Sequence, residues 1–330
     1  MIFLILSGYS YLIYPCLLWV LSRMIKRDWV KQEITPTVSV IISAYNEEAV
    51  IDQKIRNTLA LSYPENHLEV IVSSDGSTDR TNEIVSAIKD PRLTLFSFPE
   101  RKGKTACLNR VVYETKGEIL VFSDANSMFP SDLLTKLIRN FADENIGLVS
   151  GWTKYKTTDE KKQTTGVYSE FEKWTKHLES QISSCAGADG AIFAIRKAFY
   201  QPLQDYDIND FVIPLNIIKC DKRAVLDPEV FCHEEPSKGA ENEYKRQVRI
   251  TTRTLGAIRR NIEFLNPFKF GLFSFFLLSH KVIRFLAPVF LLGGLVMNVF
   301  LLERGISYII IFSCQILMVY GNWLFPKLLA

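Results

Sequence analysis

Short apolar runs alternate with helix-like stretches from Val38 onward. Val38-Ser-Val-Ile-Ile-Ser43 is rich in β-branched residues and reads as a strand, and Ala44-Tyr45-Asn46-Glu47-Glu48 opens a helical pattern that runs to Leu61. Leu68 to Ser73 is a second strand, Asp75-Gly-Ser-Thr-Asp79 a turn and helix cap, and a helix follows to about Ile88. Leu93 to Phe96 as a strand, Lys104 to Glu114 as a helix, a strand ending at Asp124 and a helix opening at Ser131 continue the alternation. This predicts an α/β fold, a mostly parallel sheet with helices on both faces. Crossovers of one hand place the carboxyl ends of such strands on one rim. Tyr45 to Glu47, Asp75 to Ser77 and Asp124 to Asn126 are therefore expected to converge.

The run Leu120-Val-Phe122 reads as a buried strand that delivers Asp124 and Asn126, two positions apart, to the rim where open α/β sheets bind ligands. In isolation an Asp-x-Asn step is also common in turns, where both residues bond their own backbone. On a rim shared with two other polar loops it is a candidate for a hard divalent cation and, through it, a diphosphate. Asp75, if fixed, is suited to accept the imide hydrogen of a uracil. Arg101, Lys102 and Lys104 lie on a further loop where cations can meet phosphates.

The two ends of the chain are patterned differently. Ile2 to Leu21 carries no charged side chain, matches the roughly 20 residues of a spanning helix, and is followed at once by Arg23, Lys26, Arg27 and Lys31. That order of apolar and basic residues predicts an uncleaved anchor whose C-terminal side is cytoplasmic. Phe285 to Leu302 and Ile306 to Phe325 read as a helical hairpin, and Phe264 to Ser279, broken by Pro267, Lys269 and Gly271, as an interfacial helix. The expected organisation is an anchor over 1–31, a catalytic α/β domain over 32–262 and a membrane segment over 263–330, giving an integral protein of the cell membrane in contact with its lipid.

Composition agrees: 48% hydrophobic residues and a mean hydropathy of +0.07 are high for a soluble chain. A net charge of +3 is too small to imply a nucleic-acid partner. The six cysteines show no Cys-x-x-Cys spacing, which points to free thiols in a reducing compartment. Gly103-Lys104-Thr105 matches the end of a P-loop, but the first glycine of that motif would fall on Phe98; nor does Gly-x-Gly-x-x-Gly follow the first strand. Nucleoside triphosphatase and dinucleotide folds are thereby set aside.

Taken together, Val38 to Glu48, Ser74-Asp-Gly-Ser-Thr-Asp79, Lys102-Gly-Lys-Thr-Ala-Cys-Leu-Asn109 and Ser123-Asp-Ala-Asn126 resemble the inverting family 2 glycosyltransferases. Within that family the chain looks most like the membrane-embedded branch that includes cellulose, chitin, hyaluronan and poly-N-acetylglucosamine synthases. The resemblance covers about residues 36–255 and the membrane layout. It implies a GT-A type, Rossmann-like mixed sheet, a nucleotide-sugar donor, and Mg²⁺ or Mn²⁺ as cofactor. By the same resemblance Tyr45 and Glu47 line the nucleoside pocket, Asp75 holds the base, Lys104 approaches the donor and Asp124 contacts the diphosphate. Asn126 stands where the family usually has a second aspartate; its neutral oxygen still suits a hard cation, with less charge compensation.

The resemblance extends to the acceptor half. Ala186 to Arg196, with Gly187, Asp189 and Gly190, is similar to the small-residue segment that lets the acceptor sugar approach the backbone, although it also reads as a Gly-rich turn before a strand. Asp207-Ile-Asn-Asp210 aligns with the family's acidic pair, making Asp210 the general base; Asp207 is either its partner on one helical face or an N-cap. Arg246-Gln-Val-Arg-Ile250 stands where processive synthases carry Gln-x-x-Arg-Trp. Arg246 and Arg249 are candidates to grip a departing diphosphate or to rest on lipid headgroups. Ile250 in place of Trp argues against processive polymer synthesis. His233 is either a third metal contact or a solvated loop residue. The implied activity is transfer of a sugar, from a donor read here as UDP-linked, to a polysaccharide or lipid-linked saccharide, with partner subunits as possible company. The alternatives are a polyprenyl-phosphate glycosyltransferase and a non-catalytic nucleotide-sugar-binding subunit.

Overall fold

The computed structural model describes residues 2–155, 163–235 and 240–328. Its contacts divide the chain into two compact units, one formed by Leu18–Phe276 and one by Met1–Leu17 with Leu277–Ala330.

The larger unit is built on seven strands: β1 (Val38–Ala44), β2 (Leu68–Asp75), β3 (Leu93–Phe98), β4 (Ile119–Asp124), β5 (Ile146–Tyr155), β6 (Ile192–Arg196) and β7 (Arg223–Glu234). They lie in the order β3-β2-β1-β4-β6-β5-β7. The first four are mutually parallel, β6 runs antiparallel to both neighbours, and β5 pairs parallel with β7. The sheet is therefore mixed, and its parallel half is the half legible from apolar runs. β1, β2 and β4 are buried on both faces, while the edge strand β3 is only partly buried: Val40, Ile42, Val70, Val72 and Val121 join one core with Ile51, Ile55, Leu133 and Leu137. Across the β4–β6 pair, Phe122 stacks on Phe193 with ring centroids 4.7 Å apart.

Register sets the rim. Ser43 of β1 is opposite Asp124 of β4, and Ala44 is opposite Ser74 of β2, so all three loops leave the sheet at one level. Strand order reverses at β1, with β2 on one side and β4 on the other, which makes the gap beyond these ends the ligand crevice expected of open α/β sheets. After the N-terminal helices α1 (Ile2–Tyr9) and α2 (Ile13–Met24), helices α3 (Ile51–Leu59), α4 (Thr81–Ala87), α5 (Lys104–Glu114) and α6 (Leu133–Ile138) connect the strands. Helix α3 starts later than the sequence pattern suggested, because Asn46 takes a left-handed φ of 55° and the residues after it form a loop. Further on, α7 (Gln163–Ile182) and α8 (Asn209–Lys219) flank the antiparallel half, and α9 (Ala240–Arg260) follows β7.

Among the described residues no single helix is long and apolar enough to cross a membrane. The first apolar run, read as one span, is two helices, Ile2–Tyr9 and Ile13–Met24, bent by 59°. Pro15 explains the break: it has no N–H to donate and its ring crowds the carbonyl of Tyr11, four residues back. Leu272–Phe285 and Ala287–Val299 are likewise bent by 57° at Pro288, so the stretch read as an interfacial helix continues into the next apolar run. By length and composition each bent pair can cross a bilayer as a broken span. Within the smaller unit, Gly293 packs so closely on Phe3 that a Cβ there would lie 3.1 Å from its ring.

Candidate active site

The three predicted loops do converge, and hydrogen bonds stitch them together. After β1, the N–H of Asn46 donates to Ser77 Oγ (3.1 Å), that of Glu47 to Thr81 Oγ1 (2.8 Å) and that of Glu48 to Asp79 Oδ2 (3.1 Å). Thr78 returns a bond from its N–H to Asn46 Oδ1 (2.8 Å). Asp75 is buried, and its carboxylate accepts the N–H groups of Lys102 (2.7 Å) and Gly103 (3.0 Å), so it fastens the 101–103 loop. Gly76, with φ of +67°, lies under that loop, and a Cβ there would come within 2.6 Å of the Arg101 nitrogen. Arg101 covers the Tyr45 ring, 3.9 Å from its centroid.

Facing this platform is Asp124. Lys104, in the first turn of α5, donates from Nζ to Asp124 Oδ1 at 2.6 Å. Burial pulls the Lys104 ammonium down, but Asp124, with Asp210 and Glu234 nearby, outweighs it and holds the pKa above its ordinary value. Glu47 is raised by burial and then by the like charges of Asp124 and Asp79. Asn126 is exposed beside Asp124.

The other side of the crevice comes from the antiparallel half. Asp189 accepts the N–H of Thr153 (2.9 Å) and of Ala191 (3.0 Å), which fixes the turn ahead of β6. Gly187 takes φ of +110°. Gly190 lies against Asp210, where a Cβ would be 3.0 Å from Oδ2. Asp210 Oδ1 is buried and, among the described residues, has no hydrogen-bond partner. Burial raises this carboxyl, against Lys104 and Lys176, with Asp189 and Asp124 adding to the rise. Lys176, from α7, donates to the Ala188 carbonyl at 3.1 Å.

Asp207 does not share a helical face with Asp210, nor does it cap the helix. Ile208 is the cap residue and α8 begins at Asn209, while Asp207 pairs with Arg260 at 2.9 Å. His233 makes two contacts of its own. Its backbone bridges Met128 in both directions at 2.8 Å, and its ring meets Phe231 edge-on at 5.3 Å. Alternation along β7 puts those two rings on one face and Cys232 and Glu234 on the other. Glu234 is thus the residue that joins Asp124: it accepts a hydrogen bond from Ser127 Oγ, and burial, with Asp124 and Asp189 adding like charge, pushes it up to about 7. The period-two pattern Val230, Cys232, Glu234 carried this signal in the sequence. Arg246 hydrogen-bonds Tyr155 and lies near Glu234, whereas Arg249 is exposed.

Sequence reasoning also missed Lys54. It is wholly buried on α3; its Nζ donates to the Ser127 carbonyl and lies 3.2 Å from the centroid of the Phe129 ring. Burial pulls its ammonium from 10.5 to about 7. Between those two values the unfolded chain holds a proton that the folded chain has lost, so stability rises with pH across the window, by at most about 1.4 kcal/mol per unit from this group. Lys54→Met removes that slope. In thermal melts of the detergent-solubilised chain, the variant's advantage at about pH 7.5 is expected to narrow by about pH 9.5; a constant gap would contradict a neutral buried amine.

Among the described residues no three His, Cys, Asp or Glu groups gather closely enough to enclose a metal. Asp124 and Asn126 offer two hard oxygens, and burial, with like charge adding to it, raises Glu47 and Glu234 around them. That fits a cation held by one or two protein oxygens with substrate phosphates and water completing the shell, the usual manner of Mg²⁺.

Residues 39–202 match the family model described as Glycosyl transferase family 2. The chain carries a glycosyl transferase family 2 domain. Among curated relatives it is 35% identical over 118 residues to a beta-monoglucosyldiacylglycerol synthase of Nostoc sp., a match covering 34% of this chain and 25% of that protein. It is 29% identical over 191 residues to the probable glycosyltransferase YdaM of Bacillus subtilis, covering 52% and 43%. It is 30% identical over 116 residues to the poly-beta-1,6-N-acetyl-D-glucosamine synthase of Staphylococcus aureus, covering 34% and 28%. The matched part thus spans from a quarter to less than half the length of each relative. Of solved structures, the mannosyltransferase PcManGT from Pyrobaculum calidifontis, in complex with GDP-Man and Mn²⁺, superposes with a TM-score of 0.69 at 23% identity, covering 96% of both chains. That likeness establishes the GT-A type sheet.

Proposed function

We propose that this glycosyl transferase family 2 chain is a membrane-bound, metal-dependent inverting transferase that moves a sugar from a nucleotide donor to a lipid or lipid-linked saccharide. The observation that carries the reading is the placement of Lys104 beside Asp124 while Asp210 keeps a buried oxygen, unpartnered among the described residues, across the same crevice. The donor diphosphate belongs at Asp124, Asn126 and Lys104, and the nucleoside over Tyr45 and Glu47. A divalent cation held by Asp124 and Asn126 supplies the positive charge that offsets the diphosphate. Asp210 Oδ1 takes the proton of the acceptor hydroxyl as that oxygen attacks the anomeric carbon from the face opposite the leaving group. Gly187 to Gly190 leave backbone within reach of the acceptor, and Lys104 and Arg246 face the departing diphosphate.

Ile250 in place of tryptophan, together with the glycolipid synthase among the relatives, favours a lipid acceptor over a long polymer. A polyprenyl phosphate is the other member of that acceptor class. The apolar ends serve as the anchor and residues 32–262 as the catalytic domain on the cytoplasmic side.

Membranes containing the chain, incubated with a panel of radiolabelled UDP- and GDP-sugars, are expected to place label in the organic-solvent extract. Chelation with EDTA should stop it and added Mn²⁺ restore it. Mild acid, which cleaves polyprenyl-phosphate sugars, separates them from glycosyl diacylglycerols. Nucleotide binding without turnover on any acceptor would instead favour a non-catalytic subunit.

A further inference from the structure

The loop that presents Asp124 and Asn126 is held from beneath by one turn of α3. Lys54 donates to the Ser127 carbonyl, and Asn57, three residues on, clamps Phe129 twice: its Nδ2 donates to the Phe129 carbonyl (2.9 Å) and its Oδ1 accepts the Phe129 N–H (2.8 Å). Such spacing puts both side chains on one helical face. From the other side, β7 holds the same loop through the Met128–His233 bridge and through Ser127 Oγ on Glu234. Burying a charged amine in a protein core is costly unless it is ion-paired as well as hydrogen-bonded, and the Ser127 carbonyl is a neutral partner. A methionine of similar length would fill this position without that cost, so packing alone does not account for the residue.

We propose that Lys54 and Asn57 are positioning residues of the donor site, which fix the Asp124–Phe129 loop so that Asp124 and Asn126 face a diphosphate and its cation. The assignment rests on the diphosphate reading of that rim. Groups that orient metal-binding side chains without touching the metal commonly cost 10- to 100-fold in affinity when removed. Neither residue touches the reacting atoms, so the loss belongs in donor and metal affinity and not in turnover at saturation.

The test uses the full chain in detergent and three variants: Lys54→Met, Asn57→Ala, and Thr58→Val as a control. Thr58 is wholly buried on the same helix, and its hydroxyl donates to the Lys54 carbonyl at 2.8 Å. Two constants are read: Mn²⁺ binding in the presence of UDP or GDP, from the loss of the free-ion paramagnetic signal without turnover, and the donor KM. Both are expected to rise about tenfold in Lys54→Met and in Asn57→Ala, with kcat within threefold. The melting temperature of Lys54→Met should not fall, and Thr58→Val should shift melting while leaving both constants in place. A merely structural role would move melting and affinity downward together. Should Lys54→Met fail to fold, Asn57→Ala carries the same readout. Constants within twofold of the parent in the folded variants would overturn the assignment, whereas a parent chain that binds neither Mn²⁺ nor nucleotide would overturn the donor-site reading beneath it.

Discussion

Asp210→Asn is expected to lower the rate of sugar transfer by about two to four orders of magnitude, the usual contribution of a positioned general base. That corresponds to about 3 to 5 kcal/mol of barrier. The substitution keeps the shape of the side chain, so the contact with Gly190 and the start of α8 are preserved and donor KM should hold within a few-fold. The buried Oδ1 is the acceptor this role needs, since no hydrogen of the described residues already occupies it. Burial raises the pKa of the group, with Lys104 and Lys176 only partly offsetting. A base must be ionised, so activity falls as pH drops through that raised value, and the acid limb should vanish from the residual activity of Asp210→Asn. Glu234, at about 7, is the competing carboxylate. Its Oε1 already accepts from Ser127, and it lies on the Asp124 side, so Glu234→Gln should cost less than Asp210→Asn. The reverse order would make Glu234 the base.

The parallel half of the sheet was legible because strands buried on both faces carry apolar runs, as β1, β2 and β4 do. Their loops converged as expected because handedness and register leave the strand ends no other rim. The antiparallel half was harder. β5 contains Gly147 and Gly151, both pressed against neighbours that a Cβ would strike within 2.8 Å, and glycine within a run reads from sequence as a break. The roles of single residues were hardest where they depend on which way a strand faces. His233 and Glu234 are adjacent, and alternation along β7 puts them on opposite faces, with the glutamate beside Asp124. Lys54 was invisible for a different reason. A lysine at a helical position ordinarily belongs to the solvated face, and only the tertiary fold reveals a carbonyl and an aromatic ring waiting for it. The apolar ends show the same limit in reverse, since run length predicted continuous spans and two prolines bent them.

Asp124→Ala is the second large effect, and its signature differs from that of Asp210. Asp124 is the only charged member of the Asp-x-Asn pair, so its removal leaves the loop with one neutral oxygen for a cation. It also releases Lys104 from its 2.6 Å partner. With Asp210 and Glu234 as the remaining carboxylates, the ammonium should turn toward the acceptor side, where it would lower the basicity of Asp210 as well. Donor binding and turnover are thus expected to fall together, with kcat/KM reduced by about three orders of magnitude or more, roughly 4 kcal/mol. Excess Mn²⁺ should recover little. The opposite change, Asn126→Asp, adds a second carboxylate where the neutral oxygen now stands and should lower the Mn²⁺ concentration for half-maximal activity several-fold. Metal titrations of parent, Asp124→Ala and Asn126→Asp check both directions on one axis. If Asp124→Ala kept its activity and its Mn²⁺ response, the diphosphate would have to bind elsewhere on the rim, with Glu47 and Glu234 the carboxylates left to hold its cation.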